Sequence, residues 1–254
     1  MATTTNVLIT GPNRGIGNGL LAAYLLLPSH TIIAAVRDPS SQASLALQSL
    51  PKAANTTLII VRIDSEDDSS PLAAITTLKN EHGIKKLDIV IANAGICDFF
   101  GRVEDVSASE LTRHFQINTV APLMLFNAVS PLFNLSPSST PPKFILVSSA
   151  VGSLTLIPHM PFSCPPYGAS KIAGTYLVRK MHFENEGLIA FPVHPGWVMT
   201  EMGNKGAEVA GKEGGEAEIT LKESVEGLMD VIAKATREEM GGKLMNFDGS
   251  VLPW

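Results

Sequence analysis

Seven short apolar runs, separated by segments long enough to form helices, constrain the fold of this chain most strongly. The runs are rich in Val, Ile and Leu and do not alternate regularly with polar residues. They cover residues 7–9, 31–36, 57–61, 87–92, 144–147, 188–193 and 243–247. Such runs are typical of strands in a parallel sheet that is covered on both faces. The pattern predicts an α/β fold with a doubly wound, seven-stranded parallel sheet and helices on both faces.

The segments between these runs predict the helices and the domain organisation. Helices are expected at residues 15–27, 42–50, 70–82, 107–133, 167–186 and 221–236. The chain has 254 residues, of which 45% are hydrophobic and 17% charged, so we expect one Rossmann-type domain over residues 1–254. Two segments interrupt the alternation: residues 152–166, which contain several prolines, and residues 201–220, which are rich in Gly, Glu and Ala.

Composition and charge narrow the class of protein. The formal charge of −5 and the lack of a Lys/Arg run argue against a nucleic-acid partner. Cys97 and Cys164 have neither metal-site nor disulfide-framework spacing, and the six histidines are scattered, so we expect reduced thiols and no metal. The apolar stretch at residues 19–27 is too short to span a membrane, and no signal peptide is visible. We therefore expect a cytoplasmic protein without a membrane partner.

A glycine-rich turn lies between the first predicted strand and the first predicted helix. Its glycines, Gly11, Gly15 and Gly17, differ in spacing from the G-x-G-x-x-G pattern of other dinucleotide folds. Glycines let the backbone approach a pyrophosphate, and the helix N-terminus supplies N–H groups. The turn therefore predicts a phosphate-binding site, with an ordinary glycine turn as the alternative.

Tyr167 and Lys171 lie four residues apart, so a helix would place them on one face, one turn from each other. A free tyrosine has a pKa of about 10, and a neighbouring ammonium favours the phenolate. The pair therefore predicts a tyrosine with a lowered pKa that exchanges a proton with a substrate. The spacing alone also occurs by chance in many helices.

The candidate residues follow directly after predicted strands. In an open α/β sheet, ligands bind beyond the carboxyl ends of the strands. We therefore expect five groups to converge on one edge of the sheet: Gly11–Gly17, Asp64, Asn93–Gly95, Ser149 and Pro195–Thr200.

Together these motifs resemble the short-chain dehydrogenase/reductase family. Thr-Gly-x-x-x-Gly-x-Gly at residues 10–17, Asn-Ala-Gly at 93–95, a serine at 149 and Tyr-x-x-x-Lys at 167–171 occur in family order and span nearly the whole chain. Within that family, residues 167–185, 195–203 and 248–254 most resemble fungal norsolorinic acid ketoreductases.

The resemblance implies a set of catalytic residues: Asn118, Ser149, Tyr167 and Lys171. Tyr167 would be the proton donor, Ser149 would stabilise the carbonyl oxygen, and Asn118 would hold a water in a proton relay to the lysine. Ser149 fits the family motif better than Ser148, which we expect to be a packing neighbour. The eighteen positions between Ser149 and Tyr167 exceed the family's usual spacing.

The motifs and the resemblance also imply how NADPH or NADP⁺ would bind. Arg37 follows the second strand, where an arginine accommodates a 2′-phosphate and an acid binds a ribose hydroxyl; the neighbouring Asp38 leaves this choice open. Arg14, inside the glycine turn, is a second cation able to reach the same phosphate, and the alternative for each arginine is a solvated surface position. Asp64 would bind the adenine amino group or, alternatively, act as a turn cap. The predicted cofactor residues are Thr10, Gly11, Asn13, Arg14, Gly15, Ile16, Gly17, Arg37, Asp64, Asn93, Ala94, Gly95, Tyr167, Lys171, Pro195, Gly196, Val198 and Thr200.

The implied reaction is NADPH-dependent reduction of a ketone to a secondary alcohol, with an aromatic or polyketide-type carbonyl compound as substrate. An NADP-dependent alcohol dehydrogenase acting oxidatively and a non-catalytic cofactor-binding regulator are the alternatives. We expect a homo-oligomer, either a dimer or a tetramer.

The two irregular segments are predicted to contact the substrate. Residues 152–166 carry five apolar side chains: Leu154, Leu156, Ile157, Met160 and Phe162. Residues 201–220 contain five glycines, which suit a lid that is mobile without ligand. The alternative is a surface excursion without a functional role.

Overall fold

A parallel sheet of seven strands forms the centre of the computed structural model, which describes residues 4–133, 140–160 and 163–254. The strands follow the order β3-β2-β1-β4-β5-β6-β7, and every neighbouring pair is parallel. Their bounds are Thr5–Thr10 (β1), His30–Val36 (β2), Thr57–Arg62 (β3), Ile89–Ala92 (β4), Lys143–Val147 (β5), Ile189–His194 (β6) and Met245–Asn246 (β7). The predicted fold class is confirmed.

Eight α-helices lie between the strands in the described part of the chain. They are Gly15–Leu25 (α1), Gln42–Ala46 (α2), Ser70–His82 (α3), Ala108–Phe115 (α4), Ala121–Val129 (α5), Pro165–Glu184 (α6), Glu201–Val209 (α7) and Leu221–Lys234 (α8). None of the helices in these ranges is both long enough and apolar enough to cross a membrane.

Both faces of the sheet are buried, as the continuous apolar runs predicted. Successive side chains of a strand point to opposite faces. In β1, Leu8 packs into the core formed with α3, α5 and α6, whereas Val7 and Ile9 pack into the core formed with α1 and α8. The apolar strands are therefore explained by helices on both sides, which leave the loops at the strand ends free to form a site.

The predicted helix at residues 107–133 is helical over residues 108–132, but it is not one regular α-helix. Instead, α4 ends at Phe115, a π-helical turn covers Gln116–Val120, and α5 follows. Pro122 is the physical reason, because it has no N–H to donate to the carbonyl of Asn118 four residues earlier. The wider turn accommodates the proline, and it lies where a functional asparagine was predicted.

The segment at residues 201–220 contains more regular structure than predicted. Helix α7 occupies Glu201–Val209, and Val198 pairs with Ile219 in a short parallel bridge. Gly203 allows a close approach, since a Cβ there would lie 2.0 Å from the carbonyl oxygen of Val198. Gly211 adopts a φ of +67°, which favours glycine. These glycines therefore serve packing and turns, and closure of the segment as a lid stays a prediction.

The other irregular segment is a loop with short 3₁₀ turns. Ala150–Gly152 and Ile157–His159 form these turns before α6 begins at Pro165. The carbonyl oxygen of Trp254 accepts hydrogen bonds from the backbone N–H of Thr155, at 2.9 Å, and from its hydroxyl. The loop is thus attached to the C-terminal segment, while the predicted pocket residue Phe162 lies outside the described residues.

We expect Gly227→Ala to destabilise the fold by about 1–3 kcal/mol, as is typical of an overpacked core. A Cβ at this position of α8 would lie 2.4 Å from the carbonyl oxygen of Phe247, next to β7. Gly206→Ala in α7 is the matched control, because its nearest neighbours are 3.8 Å away, and alanine favours a helix by up to about 1 kcal/mol. Urea unfolding should separate the two variants, and equal stabilities would contradict this packing.

Candidate active site

The glycine turn between β1 and α1 has a backbone conformation and a close packing that favour glycine. Gly11 and Gly15 adopt φ values of +63° and +52°, which favour glycine. A Cβ on Gly17 would lie only 2.3 Å from the carbonyl oxygen of Gly11. Asn13 and Ile16 are partly buried in the same turn, which leads into the N-terminus of α1. A glycine turn that leads into a helix N-terminus is compatible with the predicted phosphate site.

The segment after β4 is hydrogen-bonded to the start of this turn. The side-chain amide of Asn93 donates to the carbonyl oxygens of Thr10, at 2.9 Å, and Gly11, at 3.2 Å. The Thr10 hydroxyl accepts hydrogen bonds from the backbone N–H groups of Asn93 and Ala94, each at 3.0 Å. Because β1 and β4 are the strands at which the sheet order changes direction, these contacts lie where open α/β sheets bind ligands.

A small pocket lies beside the turn, between the loops that follow β1, β3 and β4. Its lining includes Thr10, Asp64, Ala94 and Ile117. The Asp64 carboxylate accepts a hydrogen bond from the backbone N–H of Glu66 and forms an ion pair with Arg62 at 3.1 Å. Asp64 therefore caps its own turn and also borders a pocket, so both interpretations of this residue are compatible with its position.

Asn118 connects three parts of the site within the π-helical turn. Its fully buried side chain accepts a hydrogen bond from the backbone N–H of Ile96 at 2.9 Å and donates to the Ile96 carbonyl at 2.9 Å. It also donates to the Ser170 hydroxyl at 3.0 Å. A Cβ on Gly95 would lie 3.0 Å from its amide oxygen. The side chain thus connects the loop after β4 to α6, and a water relay at Asn118 stays a prediction.

Ser149 and Ser148 have different environments at the end of β5. The Ser149 hydroxyl accepts from the backbone N–H of Val151 at 3.2 Å, and its interaction with the Tyr167 phenol lowers the pKa of that phenol. The Ser148 hydroxyl instead pairs with the buried hydroxyl of Thr175 at 2.8 Å. Ser149 is therefore the serine that meets the tyrosine, and Ser148 anchors β5 to α6.

Tyr167 and Lys171 lie one turn apart in α6, as their spacing predicted. Lys171 is only 3% exposed, and its Nζ donates to the carbonyl oxygen of Val147 at 2.8 Å. The same nitrogen lies 5.5 Å from the centroid of the Tyr167 ring. The ammonium is therefore held at the end of β5, beside the serine and the phenol.

The predicted lowering of the Tyr167 pKa is wrong for the protein without cofactor. Burial raises the pKa of Tyr167, and negative charge on Cys97 would raise it further, whereas the Ser149 hydrogen bond lowers it. Burial also lowers the pKa of Lys171 from 10.5 to about 8. Loss of hydration disfavours both charged forms, and the ammonium does not outweigh this effect on the phenol.

Two cysteines that the sequence did not assign to the site lie next to Tyr167. Cys97 and Cys164 are buried free thiols, at 8% and 4% exposure. The interaction with the Cys164 thiol, followed by burial, raises the pKa of the Cys97 thiol. Their positions in the sequence could have indicated this location, since Cys97 follows Gly95 by two residues and Cys164 precedes Tyr167 by three. The two buried thiols therefore lie beside the phenol.

The segment after β6 also approaches the glycine turn. Gly196 adopts a φ of +86°, and the preceding Pro195 accepts a hydrogen bond at its carbonyl from Ser224 at 2.6 Å. Val198 is buried, and the Thr200 hydroxyl caps α7 by accepting from the backbone N–H of Gly203 at 3.2 Å. A Cβ on Gly15 would lie 3.6 Å from Thr200 Cγ2. The predicted groups thus converge on one edge of the sheet.

The two predicted phosphate-binding arginines lie in different surroundings. Arg37 is exposed at the end of β2, while the neighbouring Asp38 accepts hydrogen bonds from the Ser40 backbone at 2.8 Å and hydroxyl at 2.6 Å. Arg14 forms an ion pair with Glu201, with Nη1 and Oε2 2.5 Å apart. Sequence reasoning missed Glu201, although it directly follows Thr200. No cluster of three or more His, Cys, Asp or Glu side chains suited to a metal occurs in the described residues.

The lowered pKa of Lys171 predicts how the stability of the cofactor-free protein depends on pH. The unfolded chain binds this proton up to pH 10.5 and the folded chain up to about pH 8, so the free energy of unfolding should rise with pH between these values. For one proton the rise is at most about 1.4 kcal/mol per pH unit. Urea unfolding of the wild type and Lys171→Met across this window isolates the effect. If the free energy of unfolding of the wild type, relative to that of Lys171→Met, stays constant or falls as the pH rises, the buried ammonium is contradicted.

Comparison with known proteins agrees with this geometry. A family model described as short chain dehydrogenase matches residues 5–210. The norsolorinic acid ketoreductase nor1 of Dothistroma septosporum is 39% identical over 252 residues, which cover 98% of this chain and 92% of that protein. The norsolorinic acid ketoreductase of Emericella nidulans is 39% identical over 256 residues, with 98% and 94% coverage.

Solved structures agree as well. The NADPH-bound carbonyl reductase from chicken fatty liver is 28% identical, covers the whole of both chains and superimposes with a TM-score of 0.83. The family match extends over the glycine turn, the loop after β4 and the Tyr167–Lys171 pair. The chain belongs to the short-chain dehydrogenase/reductase family and is an oxidoreductase of that family.

Proposed function

We propose that this protein reduces a ketone to a secondary alcohol with NADPH, and that the ketone is an aromatic or polyketide-type compound. The observation that carries the proposal is the grouping of Ser149, Tyr167 and buried Lys171 at the end of β5, where Lys171 Nζ lies 2.8 Å from the Val147 carbonyl oxygen and 5.5 Å from the centroid of the Tyr167 ring. A phenol and a hydroxyl in the same site suit a carbonyl oxygen that gains negative charge.

The cofactor residues are the glycine turn, the loops after β3 and β4, and the segment after β6. Gly11, Gly15 and Gly17 would accept the diphosphate against the N-terminus of α1, and the pocket bordered by Asp64 would accept the adenine. Val198 and Thr200 would hold the nicotinamide carboxamide. When bound, NADPH supplies the hydride for the reduction.

The charged groups near the adenosine end favour a cofactor with a 2′-phosphate. Arg37 is exposed and available, whereas the Asp38 carboxylate is engaged by Ser40, which lowers its pKa and fixes it in a turn. An acid that binds a ribose hydroxyl has to be free to accept from it. The carbonyl reductase from chicken fatty liver holds NADPH in its crystal structure, which agrees with this choice.

Tyr167 is the proposed proton donor. Its raised pKa keeps the phenol protonated near neutral pH, which is the form that reduction requires. Ser149 would donate a hydrogen bond to the substrate oxygen, and the ammonium of Lys171 would stabilise the phenolate left after proton transfer.

The proposed substrate is supported by apolar side chains on the two segments at the active-site edge. Leu154 and Ile157 in the loop after β5 are 64% and 58% exposed. Met199 and Met202, at the start of the segment after β6, are 36% and 37% exposed. Exposed apolar groups at the rim of a site suit a flat aromatic ligand. The relatives named norsolorinic acid ketoreductases agree with such a substrate.

We expect Tyr167→Phe to lower turnover of a ketone by about 10²–10⁴ while NADPH still binds, because the ring stays and only the transferable proton is lost. Tyr176→Phe is the matched control, since Tyr176 lies on the same helix but is 63% exposed. Steady-state NADPH consumption and a binding titration check both variants. Near-normal ketone reduction by Tyr167→Phe would contradict the assignment, and so would an equal loss in the control.

We expect Arg37→Asp to weaken NADPH binding by about 1.5–3 kcal/mol, the typical contribution of a hydrogen bond to a charged group. NADH binding should change little or improve, because NADH lacks the phosphate. Fluorescence titration of both cofactors provides the measurement. A wild-type protein that binds NADH as tightly as NADPH would show the cofactor assignment to be wrong.

A further inference from the structure

The ion pair between Arg14 and Glu201 connects the two sides of the cofactor site. Arg14 is the residue directly before α1, in the glycine turn, and Glu201 is the first residue of α7, after β6. Their side chains meet at 2.5 Å, although both are largely exposed. The adjacent residues also approach each other, since a Cβ on Gly15 would lie 3.6 Å from Thr200. The pair therefore spans the place where the two segments come together.

Arg14 has two possible anionic partners once a cofactor is considered. Its position in the turn makes it a cation for a phosphate group, and in the protein without cofactor its guanidinium faces a carboxylate instead. The Glu201 carboxylate occupies donor groups of the Arg14 guanidinium that a phosphate would otherwise use.

We propose that Glu201 determines the degree of preference for NADPH over NADH by competing with the 2′-phosphate for Arg14. This inference rests on the proposed function, because it takes the cofactor to be a nicotinamide dinucleotide. Binding of NADPH requires Arg14 to leave Glu201, whereas binding of NADH does not. Glu201 thus weakens the binding of the phosphorylated cofactor selectively, through Arg14 and without a contact to the reacting atoms.

The expected effect is modest because the pair is exposed. Ion pairs in water contribute little, so release of Arg14 from Glu201 corresponds to about a two- to fivefold change in a binding constant. Glu201→Gln should therefore tighten NADPH binding by about two- to fivefold at low salt. The dissociation constant of NADH should change by less than about twofold, since NADH lacks the phosphate that competes for Arg14.

The test is a fluorescence titration of the purified full chain with NADPH and with NADH. Glu208→Gln is the matched control, because it removes the same charge from an exposed position at the other end of α7. It should leave the ratio of the two dissociation constants unchanged. An equal change for both cofactors in Glu201→Gln, or no change for either, would overturn the proposal.

A double-mutant cycle separates competition for Arg14 from an effect on helix α7. Glu201 also lies in the first turn of that helix, where a carboxylate stabilises the N-terminus. In an Arg14→Gln background the effect of Glu201→Gln on the NADPH/NADH ratio should disappear, and persistence of the effect would overturn the proposal. If the wild-type protein binds neither dinucleotide, the proposed function fails; if it binds them and the ratio does not respond, only this inference fails.

Discussion

The parallel pairing of all neighbouring strands is the constraint on which the site depends. Because each strand must return by a crossover, helices cover both faces of the sheet, and the loops at the carboxyl ends share one edge. The glycine turn, Asn93, Ser149 and the segment after β6 meet there, although they are far apart in the chain. The topology of the sheet thus determines where the functional residues can meet.

The site combines fixed polar supports with reactive groups whose charged forms are disfavoured. Asn93 and Asn118 use their side-chain amides to hold backbone in place, and they leave little freedom to the loops they join. Lys171 and Tyr167 are instead desolvated, which lowers the pKa of the first and raises that of the second. A bound substrate oxygen would then meet a protonated phenol in a site already arranged for it.

The sequence predicted the parts of this account that depend on periodicity and on strand ends. The sheet, the glycine turn and the single face shared by Tyr167 and Lys171 follow from patterns within short segments. Three other features depend on contacts between distant segments, so patterns within short segments could not predict them. Pro122 changes the helix around Asn118, burial reverses the expected shift of the Tyr167 pKa, and Glu201 meets Arg14 across 187 positions of chain. Each of them arises where distant segments pack together.

The central claim is that this chain transfers a hydride from NADPH to a ketone carbon while Tyr167 supplies the proton. The most direct measurement incubates the purified protein with an aromatic ketone and NADPH deuterated at both C4 positions, followed by mass spectrometry of the product. The account predicts a secondary alcohol that carries deuterium on the former carbonyl carbon, and at least about 10²-fold slower formation of it by Tyr167→Phe under the same conditions. An alcohol without deuterium, or labelled alcohol formed equally well by Tyr167→Phe, would contradict it.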